Sequence, residues 1–179
     1  IKQSQTVKCA TFKDGKRLGQ ILAIPVHVSG VTGRNVLRST SVERRLVNGV
    51  RGSLKNTDDE WTFWKKNDSI AVTIDVGARK RLGKVSLGYL NHFGLGIHKP
   101  QKVEVWLSDN DVHYWKATEQ TFGRDEIFAE GRFTEEMEFI FKDVARYVRV
   151  IMKGAGKCPE HHVRPGLETQ IYLDEVLIE

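Results

Sequence analysis

Apolar and polar residues alternate along much of this chain with a period of two. Residues 70–76 set Ile70, Val72, Ile74 and Val76 against Ala71, Thr73 and Asp75, the pattern of a strand with one buried face. The same alternation recurs at 84–90, where Val85, Leu87 and Tyr89 share a face, and at 102–107. There Val103, Val105 and Leu107 point inward while Lys102, Glu104 and Trp106 point out. Met137, Phe139 and Phe141 form another apolar face, and after a turn at Lys142-Asp143 Val148, Val150 and Met152 follow in phase. A first strand is predicted at 7–13, closed by Asp14-Gly15, and a short one from 115 to 118. Residues 19–42 carry no firm period and read as short strands and loops, and 119–134 read as a polar excursion. No stretch combines a helical period with caps, so the pattern predicts an all-β sandwich of many short strands.

The last strand, 170–179, contains a slip of phase. Ile171 and Leu173 lie on one face, Val176 and Ile178 on the other, and the change falls at Asp174-Glu175. A β-bulge there accounts for the slip and re-aims the acidic pair. Far from it in sequence, 46–60 is a polar, turn-rich loop with Asn48, Gly49, Gly52, Ser53, Asp58, Asp59 and Glu60, followed by Trp61, Phe63 and Trp64. Loop oxygens in this density suit a hard cation such as calcium, which takes six to eight oxygen ligands. A tight turn is the alternative use of Asn48-Gly49. The three aromatics are expected to anchor the loop to the core.

At 179 residues the chain holds one domain with a real core. No apolar run approaches the length of a membrane span, and the first residues do not read as a signal peptide, so the chain is expected to be a mature fragment. The formal net charge of +5 raises the question of a nucleic-acid partner. The basic run Arg79, Lys80, Arg81 and Lys84 sits between two predicted strands, where a solvated turn explains it, and 125–138 is acidic. No nucleic acid and no membrane partner is expected. Cys9 and Cys158 allow one disulfide or none, and two free thiols is the expectation.

The stretches LVNGVRGS, DEW, IDVG, KPQKVEVWLS and LDEVLIE together resemble the F5/8 type C (discoidin) domain, also called carbohydrate-binding module family 32. With the opening TFKDGKRLG they look like the C-terminal domain of Bacteroides-type β-N-acetylhexosaminidases, the chitobiase-like enzymes of glycoside hydrolase family 20. The resemblance covers nearly the whole chain. It implies a galactose-binding-domain-like β-sandwich jelly roll over 1–179, with 1–40 as lead-in strands and loops and 41–179 as the main sandwich. It also implies a structural calcium ion held by Arg45, Asn48, Val50 and Ser53 and closed by Asp174 and Glu175. Asn48 replaces the family's Asp, which removes one negative charge from the site, and Asp58 or Asp59 is the alternative to Ser53. The implied location is periplasmic, outer-membrane-attached or secreted.

Sugar recognition needs a flat aromatic face and a few fixed polar groups on preformed loops. Two loops offer them. The first carries Asn91, His92, Phe93 and His98, and the second carries His161, His162, Arg164 and Glu168. The implied ligand is a glycan ending in an N-acetylhexosamine or galactose, with the catalytic domain of the parent chain as neighbour. Phe93 with Leu95 as an apolar adhesive spike, and a structural domain docking through a patch around Trp106, are the alternatives. Cys158, His161 and His162 form C-x-x-H-H, which lacks a fourth zinc ligand at suitable spacing. Asp174-Glu175 matches the adjacent acidic pair of the parent's chemistry but sits in a domain too small for the catalytic barrel. No Ser-His-Asp order or phosphate-cradling loop appears, so the chain is expected to be non-catalytic.

Overall fold

The computed structural model describes residues 3–40, 43–65 and 69–179. Its strands are β1 (Gln5–Lys13), β2 (Lys16–Val26), β3 (Asn35–Leu37), β4 (Thr62–Trp64), β5 (Ile70–His92), β6 (Lys102–Ser108), β7 (Trp115–Thr121), β8 (Arg132–Lys153) and β9 (Ile171–Ile178). One helical turn, α1 (Arg124–Ile127), and two short 3-10 segments, Glu43–Val47 and Phe93–Leu95, interrupt them. β1 and β2 pair with each other in a two-stranded sheet, whose last residue Val26 also bridges to Val50, and the rest form one antiparallel sheet in the order β4-β9-β5-β8-β6-β7, with β3 added on β5.

β5 and β8 are 23 and 22 residues long and pair with each other almost end to end. Their register shifts between Asp75 and Lys80 and again between Leu82 and Lys84. Such bulges bend a strand and sharpen its twist. Here they fold the sheet over, so that β3, β6 and β7 extend one layer and β9 and β4 the other. Val72, Ile74, Val85, Leu87, Met137, Phe139, Val148 and Val150 close one shared core between the layers. The architecture is the all-β sandwich that the alternation predicts.

Several expectations are corrected. Residues 77–83 are the bulged middle of β5 rather than a turn, and Lys142-Asp143 lies inside β8. Gly77 takes φ +92°, its N–H is accepted by Asp75 Oδ1 at 2.8 Å, and Arg146 clamps the same carboxylate at 2.9 and 3.0 Å. Turn chemistry is thus used within a continuing strand. Two members of the basic run are ion-paired there, Arg79 with Asp109 and Lys84 with Glu138 and Glu179. In the region read as short strands and loops, β2 continues to Val26. The β1–β2 hairpin is exposed on both faces, so neither face imposes a period on the sequence. The polar excursion contains β7 and α1, and α1 carries Ile127 into the core. Four residues are too few to reveal a helical period. Cys9 is exposed on the hairpin and Cys158 is buried in the 154–170 loop, both unpaired.

Of the three aromatics, Trp61 alone is fully interior, packed with Leu90, Ile97 and Tyr172 in a second small core. Its indole N–H donates to Ser53 O at 3.1 Å, and its ring lies against Gly52, where any Cβ would overlap it. Phe63 is 46 % exposed and stacks on Tyr172 at 4.9 Å, and Trp64 is half-buried, because β4 is an edge strand. Trp106 points outward as expected. Its surroundings are charged rather than apolar: it donates to Glu104 at 2.8 Å and lies under Lys116.

Gly52→Ala is expected to push against a buried, rigid indole and to lower stability by about 1–3 kcal/mol. Urea unfolding followed by Trp fluorescence reads this, and an unchanged midpoint would show that the loop yields instead. On the outer face, the Lys102 ammonium, the Trp106 indole and Lys116 hold the Glu104 carboxyl down at about 2, against an ordinary 4.5. A carboxyl depressed in the folded state contributes stability that is complete above the unfolded value and is lost as pH falls through the folded one. Glu104 therefore adds acid sensitivity between about 4.5 and about 2. Glu104→Gln should flatten the melting-temperature curve over that window and leave it unchanged in slope near neutrality.

Candidate functional site

The bulge predicted at the end of the chain is present. Leu87 pairs with Val176 and Tyr89 with Leu173, so Gly88 alone faces the extra residue in β9. Asp174 and Glu175 are 3 % and 0 % exposed, and the loop 48–52 covers them. Gly52 N–H donates to Asp174 Oδ2 at 2.9 Å and Arg51 Nη1 to Oδ1 at 3.1 Å, while Arg51 also reaches Glu136. Gly49 N–H donates to Glu175 Oε2 at 3.0 Å. Gly49 takes φ +82°, and its own carbonyl accepts from His27 N at 2.6 Å. Burial raises both carboxyls, Glu175 to about 9, with the Gly49 N–H working against the rise. Glu175 Oε1 is buried with no partner among the described residues.

An orphaned carboxylate oxygen under an oxygen-rich loop fits a hard cation. The other residues of the implied set fit unequally. Asn48 Oδ1 accepts from Val50 N at 2.8 Å, and its amide donates to Glu60 Oε2 at 2.8 Å, so the side chain is pinned inside its own turn. Arg45 O accepts from Asn48 N at 3.1 Å and keeps a second lone pair, and Val50 bridges to Val26. Ser53 is exposed, its hydroxyl accepts from Lys55 N at 3.1 Å, and Asp58 caps the same turn through Ser53 N and Glu60 N. Arg51, which the sequence pattern does not single out, is the cation that faces Asp174. Beside it a cleft of about 310 Å³ opens between Arg51, Glu136 and His27.

The two candidate sugar loops do converge. The segment 93–101 leaves β5 and meets 154–170 through His98 N to Gln170 O at 3.0 Å and Gln170 N to Gly96 O at 2.9 Å. Phe93 lies 4.1 Å from the His162 ring, and His98 Nε2 faces His162 Nε2 at 3.3 Å. His161 and Arg164 are exposed, His92 and Phe93 half-buried. Asn91 and His98, by contrast, are each 1 % exposed. They brace the loop from inside and offer a sugar no surface. Burial and the neighbouring His162 hold the His98 imidazole down at about 4, so it is neutral at ordinary pH. His92 Nδ1 is buried without a partner among the described residues. Leu95 packs against the Trp61 cluster instead of forming a free spike with Phe93.

Two arrangements were not legible in the sequence. Cys158 and His162 of C-x-x-H-H are joined by His98, not by His161. Phe63 and Trp64, expected in the core, line an open cleft of about 500 Å³ with Lys65 at the β4 edge.

No family model matches the chain, and no curated protein matches it. Among solved structures it is similar to chitosan-binding module 1 from a chitosanase/glucanase of Paenibacillus sp. IK-5. That match has a TM-score of 0.56 and 13% identity, and covers 86% of this chain and 99% of that one. It is also similar to the CBM32 of AlyQ in complex with 4,5-unsaturated mannuronic acid, with a TM-score of 0.51, 14% identity, and 81% and 92% coverage. A mutant of the lectin binding domain of Lectinolysin, complexed with Lewis b, matches with a TM-score of 0.51, 22% identity, and 86% and 97% coverage. At these identities the likeness is one of fold: the chain shares the antiparallel sandwich of these domains.

Proposed function

We propose that this chain is a non-catalytic carbohydrate-binding module of a glycan-active enzyme, taking terminal sugars where the loops 93–101 and 154–170 meet. The observation that carries this reading is the convergence of two sequence-distant loops on one end of the sandwich, with Phe93, His92, His161 and Arg164 at its surface. Phe93 supplies an apolar face for a sugar ring, and the His and Arg side chains supply directional groups for its hydroxyls. The sugars bound by the fold neighbours support the ligand class. Sequence resemblance supports an N-acetylhexosamine or galactose terminus and a β-N-acetylhexosaminidase parent in a periplasmic, outer-membrane-attached or secreted setting. In such a parent, weak binding would raise the effective concentration of the catalytic domain at the glycan.

Calcium belongs to the same proposal as a structural ion. Glu175 would hold it with its unpartnered oxygen, together with loop oxygens of Arg45, Asn48 and Val50, while Asp174 stays with Arg51 and Gly52. Its contribution would be to hold Glu175 ionised against its burial and tie the 48–52 loop to β9. A second reading, docking on the parent's catalytic domain, is favoured by the hairpin. Phe12 is 64 % exposed and Leu22 59 %, on a two-stranded sheet that is marginal without a surface to pack on.

A glycan array on the chain, with calcium and then with chelator, tests the sugar site. Binding to N-acetylglucosamine- or galactose-terminated glycans should fall about tenfold in His92→Ala and in Phe93→Ala. It should persist in Phe63→Ala, at the other aromatic cleft. Silence across the array would leave a structural domain. For the ion, chelation should lower the melting temperature by about 5–10 °C relative to calcium at a hundredfold above its Kd. Glu175→Gln should melt at one temperature in either condition. A wild-type chain indifferent to calcium would remove the ion from the account.

A further inference from the structure

Neither the sugar surface nor the calcium loop uses the buried group at the junction of the two loops. His98, Cys158 and His162 are 1 %, 4 % and 3 % exposed. One ligand atom from each lies within 4.8 Å of the others. The two imidazole nitrogens stand 3.3 Å apart. With metal–nitrogen bonds of about 2.0–2.1 Å, two ligands on a tetrahedral ion are separated by about 3.3 Å. The pair is thus set at the spacing of a tetrahedral edge before any ion enters. A thiolate with two imidazoles is a borderline-soft donor set, suited to zinc and poor for calcium.

For His98 the outer shell is also in place. Asn91 donates its amide to Ala129 O at 3.0 Å and Gly131 O at 3.3 Å, which fixes its oxygen toward His98 Nδ1 at 3.3 Å. His98 therefore carries its proton on Nδ1 and turns the Nε2 lone pair into the cluster, the orientation a metal-bound histidine needs. Phe93 and Phe128 pack on the two rings, at 4.1 Å from His162 and 5.0 Å from His98.

We propose that His98, Cys158 and His162 form a structural site for a zinc-type divalent ion, clipping the 154–170 loop to the loop after β5, with water in the fourth position. Without the ion the group closes on itself. Arg164 N–H donates to His162 Nδ1 at 2.9 Å, which leaves the His162 proton on Nε2, directed at His98 Nε2. Uptake has a defined proton balance. The Cys158 thiol proton is released to solvent, and the His162 proton moves from Nε2 to Nδ1. The Arg164 amide then loses its acceptor, so uptake requires the 162–164 turn to shift.

The test is a cobalt(II) titration of the chelator-stripped, tag-free chain carrying Cys9→Ser, so that Cys158 is its sole thiol. The expected result is one equivalent bound, with the visible bands of tetrahedral cobalt, a thiolate-to-cobalt charge-transfer band, release of one proton, and full displacement by zinc. Cys158→Ser should abolish the charge-transfer band and weaken zinc at least tenfold. His162→Gln serves as a second variant, with metal-free circular dichroism as the control for folding. Zinc should also move the Arg164 amide resonance. A pale octahedral spectrum without charge transfer, a band that survives in Cys158→Ser, or an Arg164 amide unmoved at saturating zinc would each overturn the site and leave a hydrogen-bonded histidine pair.

Discussion

Two adjacent carboxyl groups buried at a strand bulge set the terms for this structure. A carboxylate removed from water is costly unless hydrogen-bond donors replace the water. At Asp174 and Glu175 those donors come from a loop more than a hundred residues earlier in the chain, through the backbone of Gly49 and Gly52 and the side chain of Arg51. The loop passes over β9 with its other side against the rest of the chain: Gly52 lies on the Trp61 indole and Gly49, in the left-handed region, on the His27 carbonyl, so neither has room for a side chain. Trp61 then seals the loop from its far side. Strand closure, loop shape and the small second core are therefore a single constraint.

Much of the strand content was legible because a buried face imposes alternation. Val72 to Val76, Val85 to Tyr89 and Val103 to Leu107 are such cases. The bulge was legible for the same reason, since a change of phase between Leu173 and Val176 has few other causes. What was hidden lacked that signal. Gly77 and Asp143 are turn-type residues, yet in β5 and β8 they bend a continuing strand, and only the partner's register reveals the difference. The hairpin residues Ile21 and Leu22 both face solvent, so no alternation marks β2. His98 and Cys158 are sixty residues apart, and no local spacing links them.

At the loop end, interior and surface residues divide the labour. Asn91 and His98 carry the loop's internal hydrogen bonds, whereas His161 and Arg164 are exposed and Phe93 is half-buried against His162. A surface held from beneath in this way loses less side-chain and loop entropy when a ligand arrives. For weak ligands such as single sugars that saving decides whether binding is measurable.

The length of β5 and β8 also bears on how the chain reaches this state. Their ladder begins at His92 and Arg132, about 40 residues apart, and ends at Ile70 and Met152, about 80 apart. Loop-closure entropy grows with separation, so the ladder is cheapest to start at the near end and to zip away from it. Because both layers share these two strands, neither can open alone without breaking the same continuous ladder. The sandwich is built to fold slowly and to unfold as one unit, with the β1–β2 hairpin outside the ladder and joined to it through the 48–52 loop at Val26 and His27.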